Sequence, residues 1–295
     1  MFDAVYLPML RADGFRHMAV DEYLLECCRS GGVSAALRFY EWKPPAVSLG
    51  HSQPFELLDL SACREQGIDV VRRITGGGAL LHSQELTYCF VIGRDPARVA
   101  VRPREAASAV ARSLILGLSG LGVRAARTLL SRPPDRTGGE TPAVGGSAGA
   151  PGGESAAVCF MSGVENEVEV SGRKLAGCAH KCTREAFFSH GSVMTGPGHL
   201  RLARLLKPNS ESSRAVLGQG MAERSVSLSE LLPEAPAVDE MESVFRSAFE
   251  SVFGLSLRPE GLSPAAGELV EEWAAEKRAA LAAAFRAVEP SGGVR

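Results

Sequence analysis

Arg72-Arg73-Ile74-Thr75-Gly76-Gly77-Gly78-Ala79-Leu80-Leu81-His82 sets three consecutive glycines between two arginines and a histidine. The preceding Asp69-Val70-Val71-Arg72-Arg73-Ile74 reads as a strand, and strand character resumes from Leu86 to Ile92. No Gly-Lys-Ser/Thr follows the triplet, and it does not open a helix, so neither a Walker A loop nor a dinucleotide fingerprint fits. Consecutive glycines tolerate positive φ and let backbone N–H groups approach a ligand closely. By itself the triplet is a flexible hairpin turn. The flanking Arg72, Arg73 and His82, which a turn does not require, shift the reading of Gly76, Gly77 and Gly78 towards a ligand cradle.

Two further segments carry chemistry. In Ser171-Gly172-Arg173-Lys174-Leu175-Ala176-Gly177, the glycines would let a backbone or ligand approach Lys174. A strand lysine is ordinarily solvated, but one held in such a place can polarise a carbonyl oxygen or hold a thiolate. The thiolate is the nucleophilic form of cysteine, and a nearby cation favours it. Cys27, Cys28, Cys63 and Cys89 fall within helix or strand patterns and read as small core residues. Cys159 differs, because it opens an ordered segment shortly before Lys174. In Cys178-Ala179-His180-Lys181-Cys182, alternate residues share a strand face. The spacing is not C-x-x-C and no fourth ligand stands out, so no metal site is assigned. Ser189-His190-Gly191 ends a strand-like run, and His190 reads as a hydrogen-bonded residue beneath the site. A G-x-S-x-G elbow is absent, which argues against a serine hydrolase.

The 295 residues suffice for one large or two modest domains. A net charge of −2 gives no overall attraction for phosphate, so neither nucleic acid nor an anionic membrane is an expected partner. An odd count of 7 cysteines, irregularly spaced, fits a reducing cytosol better than a disulfide framework. No signal peptide or membrane-length apolar run is visible, so a cytoplasmic protein is expected.

Helices are expected over 18–28, 59–66, 102–121, 199–206, 238–253 and 264–287. Strands are expected at 37–40, 46–49, 69–74, 86–92, 167–170, 174–179 and 187–194. Residues 131–157 are almost all Gly, Pro, Ser, Ala and Thr and read as a mobile insertion, since they can bury little apolar surface. Strands clustered between helices indicate an α+β fold with a mixed sheet.

These motifs resemble the lipoate-protein ligase and octanoyltransferase superfamily, which includes the biotin ligases. The resemblance begins at Gly14–Glu22, continues through Tyr40-Glu41-Trp42-Lys43-Pro44-Pro45-Ala46-Val47-Ser48-Leu49-Gly50 with Gln53, and takes in 72–82, Lys174 with Gly172 and Gly177, and Ser189-His190-Gly191. It covers residues 1–258 apart from the insertion, with 259–295 as a C-terminal helical extension. It implies a mixed sheet flanked by helices, of the class II synthetase-like kind. Glu85-Leu86-Thr87-Tyr88 and Cys159-Phe160 are similar to the LipM-type octanoyltransferases, whereas Gly78, Ser83 and Cys178 depart from their usual Arg, Asp and Ser. The cysteine of a LipB-type enzyme is expected where Phe187 stands.

The resemblance implies that Cys159 carries an octanoyl group from acyl carrier protein to a lysine of a lipoyl domain or glycine cleavage H protein. Lys174 assists, and Arg72, Arg73, Gly76–Gly78, His82, Gly177 and His190 bind substrate. No cofactor is then needed. The alternatives are a ligase that uses ATP and Mg, and a non-catalytic binder of lipoyl domains. An acidic partner would suit a basic docking surface formed by Arg72, Arg73, Lys181 and Arg184.

Overall fold

Strand β6 (Glu85–Gly93) shows how the molecule is layered. Its alternate residues Tyr88, Phe90 and Ile92 enter one apolar cluster, while Cys89 and Val91 enter another. A strand buried on both faces has to be covered by helices on both, so its pattern is nearly continuous apolar rather than alternating. The computed structural model describes residues 3–94, 102–123, 126–129, 167–207 and 210–288. Cys159 and the 131–157 insertion lie outside them.

The main sheet has eight strands in the order β11-β1-β2-β6-β10-β9-β8-β7. They are β1 (Ala4–Ala12), β2 (Ala35–Trp42), β6, β7 (Ala126–Leu129), β8 (Glu167–Val170), β9 (Arg173–Cys182), β10 (Ala186–Met194) and β11 (Leu257–Pro259). β1 runs parallel to β2 and β11, and the pairs from β2 through β6, β10, β9 and β8 to β7 are antiparallel. The sheet is therefore mixed, as expected. Helix α1 (Gly14–Arg29) and the C-terminal helix α7 (Pro264–Val288) cover one face, with Met18, Leu24, Val270 and Ala274 buried together. Helices α3 (Pro103–Gly120) and α6 (Val238–Phe253) cover the other, where Leu114, Leu118, Phe245 and Phe249 meet Tyr88 and Phe90.

A second, three-stranded sheet was not anticipated. Its order is β4-β3-β5, with β3 (Ala46–Leu49) between β4 (Asp69–Arg72) and β5 (Leu80–His82). The glycine triplet thus belongs to the connection between the two outer strands of this small sheet, across β3. Helix α2 (Leu60–Glu65) leads into β4, and α4 (Glu211–Arg224) and α5 (Leu228–Leu231) follow β10. The helix expected over 199–206 is a 3-10 helix over Pro197–Arg204. Among the described residues no helix is long and apolar enough to cross a membrane.

Candidate functional site

The glycine loop is held by the two arginines that precede it. Arg73 is buried and spreads its guanidinium over carbonyl oxygens, donating from one nitrogen to Ser48 O at 3.0 Å and from the other to Gly76 O and Gly78 O, both at 2.8 Å. A planar fork of donors suits this task, and a lysine could not reproduce it. Arg72 donates to the carbonyls of Gly50, His51 and Gln53 and lies over the Phe55 ring, and it does not line the cavity described below. Gly77 has φ +94°, in the left-handed region where glycine is favoured. A Cβ at Gly50 would stand 2.1 Å from Gly77 O, so the two loops touch backbone to backbone.

Two buried polar chains tie this loop to the main sheet. In the first, Thr75 Oγ1 is 2.7 Å from His190 Nε2, and His190 Nδ1 is 3.3 Å from Asp21 Oδ2. Asp21 also accepts from Arg38 Nε at 2.9 Å and Tyr40 Oη at 3.1 Å. Burial pushes the Asp21 carboxyl up, but Arg38 and His190 outweigh it and hold the group down to about 2. Burial also lowers His190, against the opposing pull of Asp21.

In the second chain, Arg73 donates to Ser48 Oγ at 3.1 Å, Ser48 Oγ is 2.7 Å from His82 Nε2, and His82 Nδ1 is 2.6 Å from Glu85 Oε1. Both ring nitrogens of His82 are matched when Ser48 donates to Nε2 and the Nδ1–H donates to Glu85 Oε1. Glu85 Oε1 also accepts from Thr87 and Ser192, both at 2.6 Å. Burial would raise the Glu85 carboxyl; His82 and these donors turn the balance and keep it below its ordinary range. The His82 ring stacks on Trp42 at 4.0 Å between centroids.

Lys174 lines the same cavity as the loop. The residue is 4% exposed and its ammonium is paired with the equally buried Glu167. A Cβ on Gly177 would stand 2.7 Å from Lys174 Cε, so glycine is what lets the lysine lie across the strand. Glu167 opens β8, which pairs with the Lys174 strand, so the β8–β9 hairpin itself delivers the carboxylate.

These residues surround a cavity of about 910 Å³. Arg73, Gly76, Gly77, Gly78, His82, Lys174, Gly177 and His190 all line it, as do the apolar groups of Met18, Trp42, Leu80 and Met194. Of the sequence-selected site residues, Arg72 therefore stands behind the wall and Cys159 lies outside the described residues; the rest converge. Cys178, His180 and Cys182 share the wall formed by β9. Among the described residues no group of three or more His, Cys, Asp or Glu side chains is placed to hold a metal ion. Burial pushes the thiols of Cys28 and Cys63 up to about 12 and raises that of Cys89 well above its ordinary value, so these three are poor nucleophiles.

The sequence reading missed Asp21, Arg38, Ser48, Glu85 and Glu167 as site-building residues. Glu85, three positions after His82, and Glu167, on the strand before Lys174, were within reach of a search for carboxylate partners. The Asp21–Arg38 pair joins a helix to a strand and carries no local signal.

The family model described as "Lipoyl protein ligase A/B catalytic domain" matches residues 13–250. The Octanoyltransferase LipM of Symbiobacterium thermophilum is 34% identical over 250 residues, 83% of this chain and 85% of that protein. The protein of the same name from Geobacillus kaustophilus is 29% identical over 262 residues, 88% of this chain and 90% of its own length. Among solved structures, a bi-partite lipoate protein ligase from Thermoplasma acidophilum superposes with a TM-score of 0.72 at 21% identity, covering 94% of each chain.

Proposed function

Because the chain belongs to the lipoyl protein ligase A/B catalytic domain family, we propose that it is an octanoyltransferase of protein lipoylation. It takes an octanoyl group from acyl carrier protein onto Cys159 and passes it to a lysine of a lipoyl domain or glycine cleavage H protein. The similarity to proteins named Octanoyltransferase LipM over more than four-fifths of the chain supports the reaction class. The observation that carries the chemistry is Lys174, a buried ammonium lying over Gly177 at the wall of a cavity that the glycine loop also lines.

The reaction is a double displacement. The Cys159 thiolate attacks the thioester carbonyl, the carrier's sulfur leaves and takes up a proton, and an octanoyl thioester remains on the enzyme. The acceptor lysine, as its neutral amine, then attacks that thioester. An amide forms, and the Cys159 sulfur leaves as the amine proton is lost. Each step places negative charge on the carbonyl oxygen. Lys174 supplies a fixed positive charge for it, and the amides of Gly76–Gly78 are available donors; one such donor is commonly worth about 3–4 kcal/mol. Glu167 offsets the cost of burying the ammonium and fixes its direction. The thioester supplies the activation, so no nucleotide or metal is consumed.

The test is transfer from octanoyl-acyl carrier protein to an apo lipoyl domain, without nucleotide, read as the mass of the acceptor. Octanoylation under these conditions supports the transferase. Modification only from free octanoate with ATP and Mg selects a ligase, and binding without modification under either condition selects a non-catalytic binder.

A further inference from the structure

The cavity is larger than its acyl cargo. A methylene takes about the space of a water molecule, ~30 Å³, so an octanoyl chain fills roughly 240 Å³, about a quarter of the open cavity's 910 Å³. The surplus has its own lining. One part of the cavity is walled by Met18, Tyr40, Trp42 and Thr87, near the glycine loop; another is walled by His180, Cys182 and Phe187 on the β9–β10 hairpin, with the first turn of α3. The Lys174 ammonium lies over Gly177, and His180 is three residues beyond Gly177 on β9, roughly 10 Å along an extended strand.

His180 is the group in this part that asks for a ligand. Both its ring nitrogens are shielded from solvent and neither has a hydrogen-bond partner among the described residues. A buried ring with both nitrogens unmatched is an unsatisfied polar group of the kind that folded proteins avoid unless something else supplies the bond. Its ring lies beside Phe187, 5.3 Å between centroids, so the wall offers an apolar surface with a polar point in it. Arg102, Arg104 and Glu105 from the start of α3 also line the cavity and are exposed, with Glu105 Oε1 4.0 Å from Arg102 Nε, which leaves a net positive charge there.

We infer that this outer part of the cavity is the binding site for the donor's carrier arm, a linear amide-bearing thiol ending in a phosphodiester, with His180 hydrogen-bonding the arm and Arg102 and Arg104 meeting its phosphate. The inference rests on the transferase reading above. A pantetheine arm spans roughly 18 Å from sulfur to phosphate at ordinary bond lengths, and its second amide lies roughly 9 Å from the sulfur, close to the separation of His180 from the ammonium over Gly177. With the thioester at Lys174, the acyl chain runs inward past Trp42 and the arm runs outward along β9. A free acid entering with ATP would have no use for an amide-reading histidine there.

The test compares three octanoyl thioesters as donors to an apo lipoyl domain, without nucleotide: N-acetylcysteamine, pantetheine and 4′-phosphopantetheine. The full chain is used throughout. In the wild type, kcat/KM rises about three- to tenfold from the truncated thiol to pantetheine, and about tenfold again with the phosphate. His180→Phe collapses the first ratio towards one. Arg102→Ala with Arg104→Ala, at exposed positions that the fold tolerates, collapses the second, and added salt weakens that second ratio in the wild type. Equal kcat/KM for all three donors in the wild type, or variants that slow all three alike, overturns the arm site while leaving the transferase standing. If no thioester reacts and only octanoate with ATP does, the transferase reading falls and takes the arm site with it.

Discussion

Replacing Glu167 with alanine would take the carboxylate away from a buried ammonium. Glu167 and Lys174 are each about 4% exposed, so both charges are largely desolvated. At an ordinary ion-pair separation of ~3 Å and an effective dielectric near 20, their attraction is about 5 kcal/mol. Removing one partner of such a pair costs about 3–5 kcal/mol, because the remaining charge stays desolvated. At roughly 2 °C per kcal/mol for a chain of this size, Glu167→Ala lowers Tm by about 6–10 °C. The double variant Glu167→Leu with Lys174→Met removes both charges, and its stability returns to within about 1 kcal/mol of the wild type. The double variant and its two single variants, Glu167→Leu and Lys174→Met, measured by guanidinium denaturation, close a cycle with a coupling of about 3 kcal/mol or more. Octanoyl transfer separates stability from function: the double variant folds and does not transfer. An additive cycle, or a Glu167→Ala protein melting within 2 °C of the wild type, would refute the claim that these charges hold each other in place.

Other perturbations follow from the same geometry. Gly50→Ala puts a Cβ 2.1 Å from Gly77 O, so the glycine loop must move; stability falls by about 1–3 kcal/mol and kcat/KM by about a hundredfold, and normal activity at normal Tm would contradict it. Arg73→Lys leaves the carbonyls of Gly76 and Gly78 without their shared donor and costs about 2 kcal/mol, read as a drop in the denaturation midpoint together with slower transfer. The pH response has a definite sign. Burial holds His17 down to about 3, so the folded chain keeps it neutral. The stability this gives is complete above about pH 6.5 and is lost below it, by about 2 kcal/mol between pH 6.5 and 5. A midpoint that stays flat from pH 7 to 5 would contradict this. Asp21 acts lower: its depressed carboxyl contributes stability that is complete above about pH 4 and is lost as pH falls through 2.

Local pattern carried much of the architecture. The helix expected at 102–121 is Pro103–Gly120, and the strand at 167–170 is observed at Glu167–Val170, because the first has a continuous apolar stripe and the second is bounded by turn residues. β1 was missed because Pro8 sits within it, at a point where its register against β2 shifts between Leu7 and Leu10. A strand with an interruption of this kind does not show clean alternation. α4 was missed because only Leu217 and Met221 of its residues are buried, too few to mark a stripe.

The site divides in the same way. Residues within one motif were legible: the glycine loop with Arg73 and His82, and Lys174 with Gly177. What the sequence alone did not reveal was which charges would be buried together. Arg38 meets Asp21 because a strand crosses a helix 17 positions earlier in the chain, and His190 joins them from 169 positions away. Arg72 looked like a docking cation by its charge; its guanidinium is occupied by backbone carbonyls of the adjoining loop. Charge type is written in the sequence, whereas its partner is set by the topology.

The central claim is that Cys159 carries the acyl group. The most direct measurement is intact-protein mass spectrometry after brief mixing with octanoyl-acyl carrier protein, followed by peptide mapping, on the wild type and on Cys159→Ala. The account predicts one octanoyl adduct on the peptide containing Cys159, absent from Cys159→Ala, which also fails to modify the lipoyl domain. Undiminished transfer by Cys159→Ala, or an adduct that maps to Cys178 on the cavity wall instead, would contradict it.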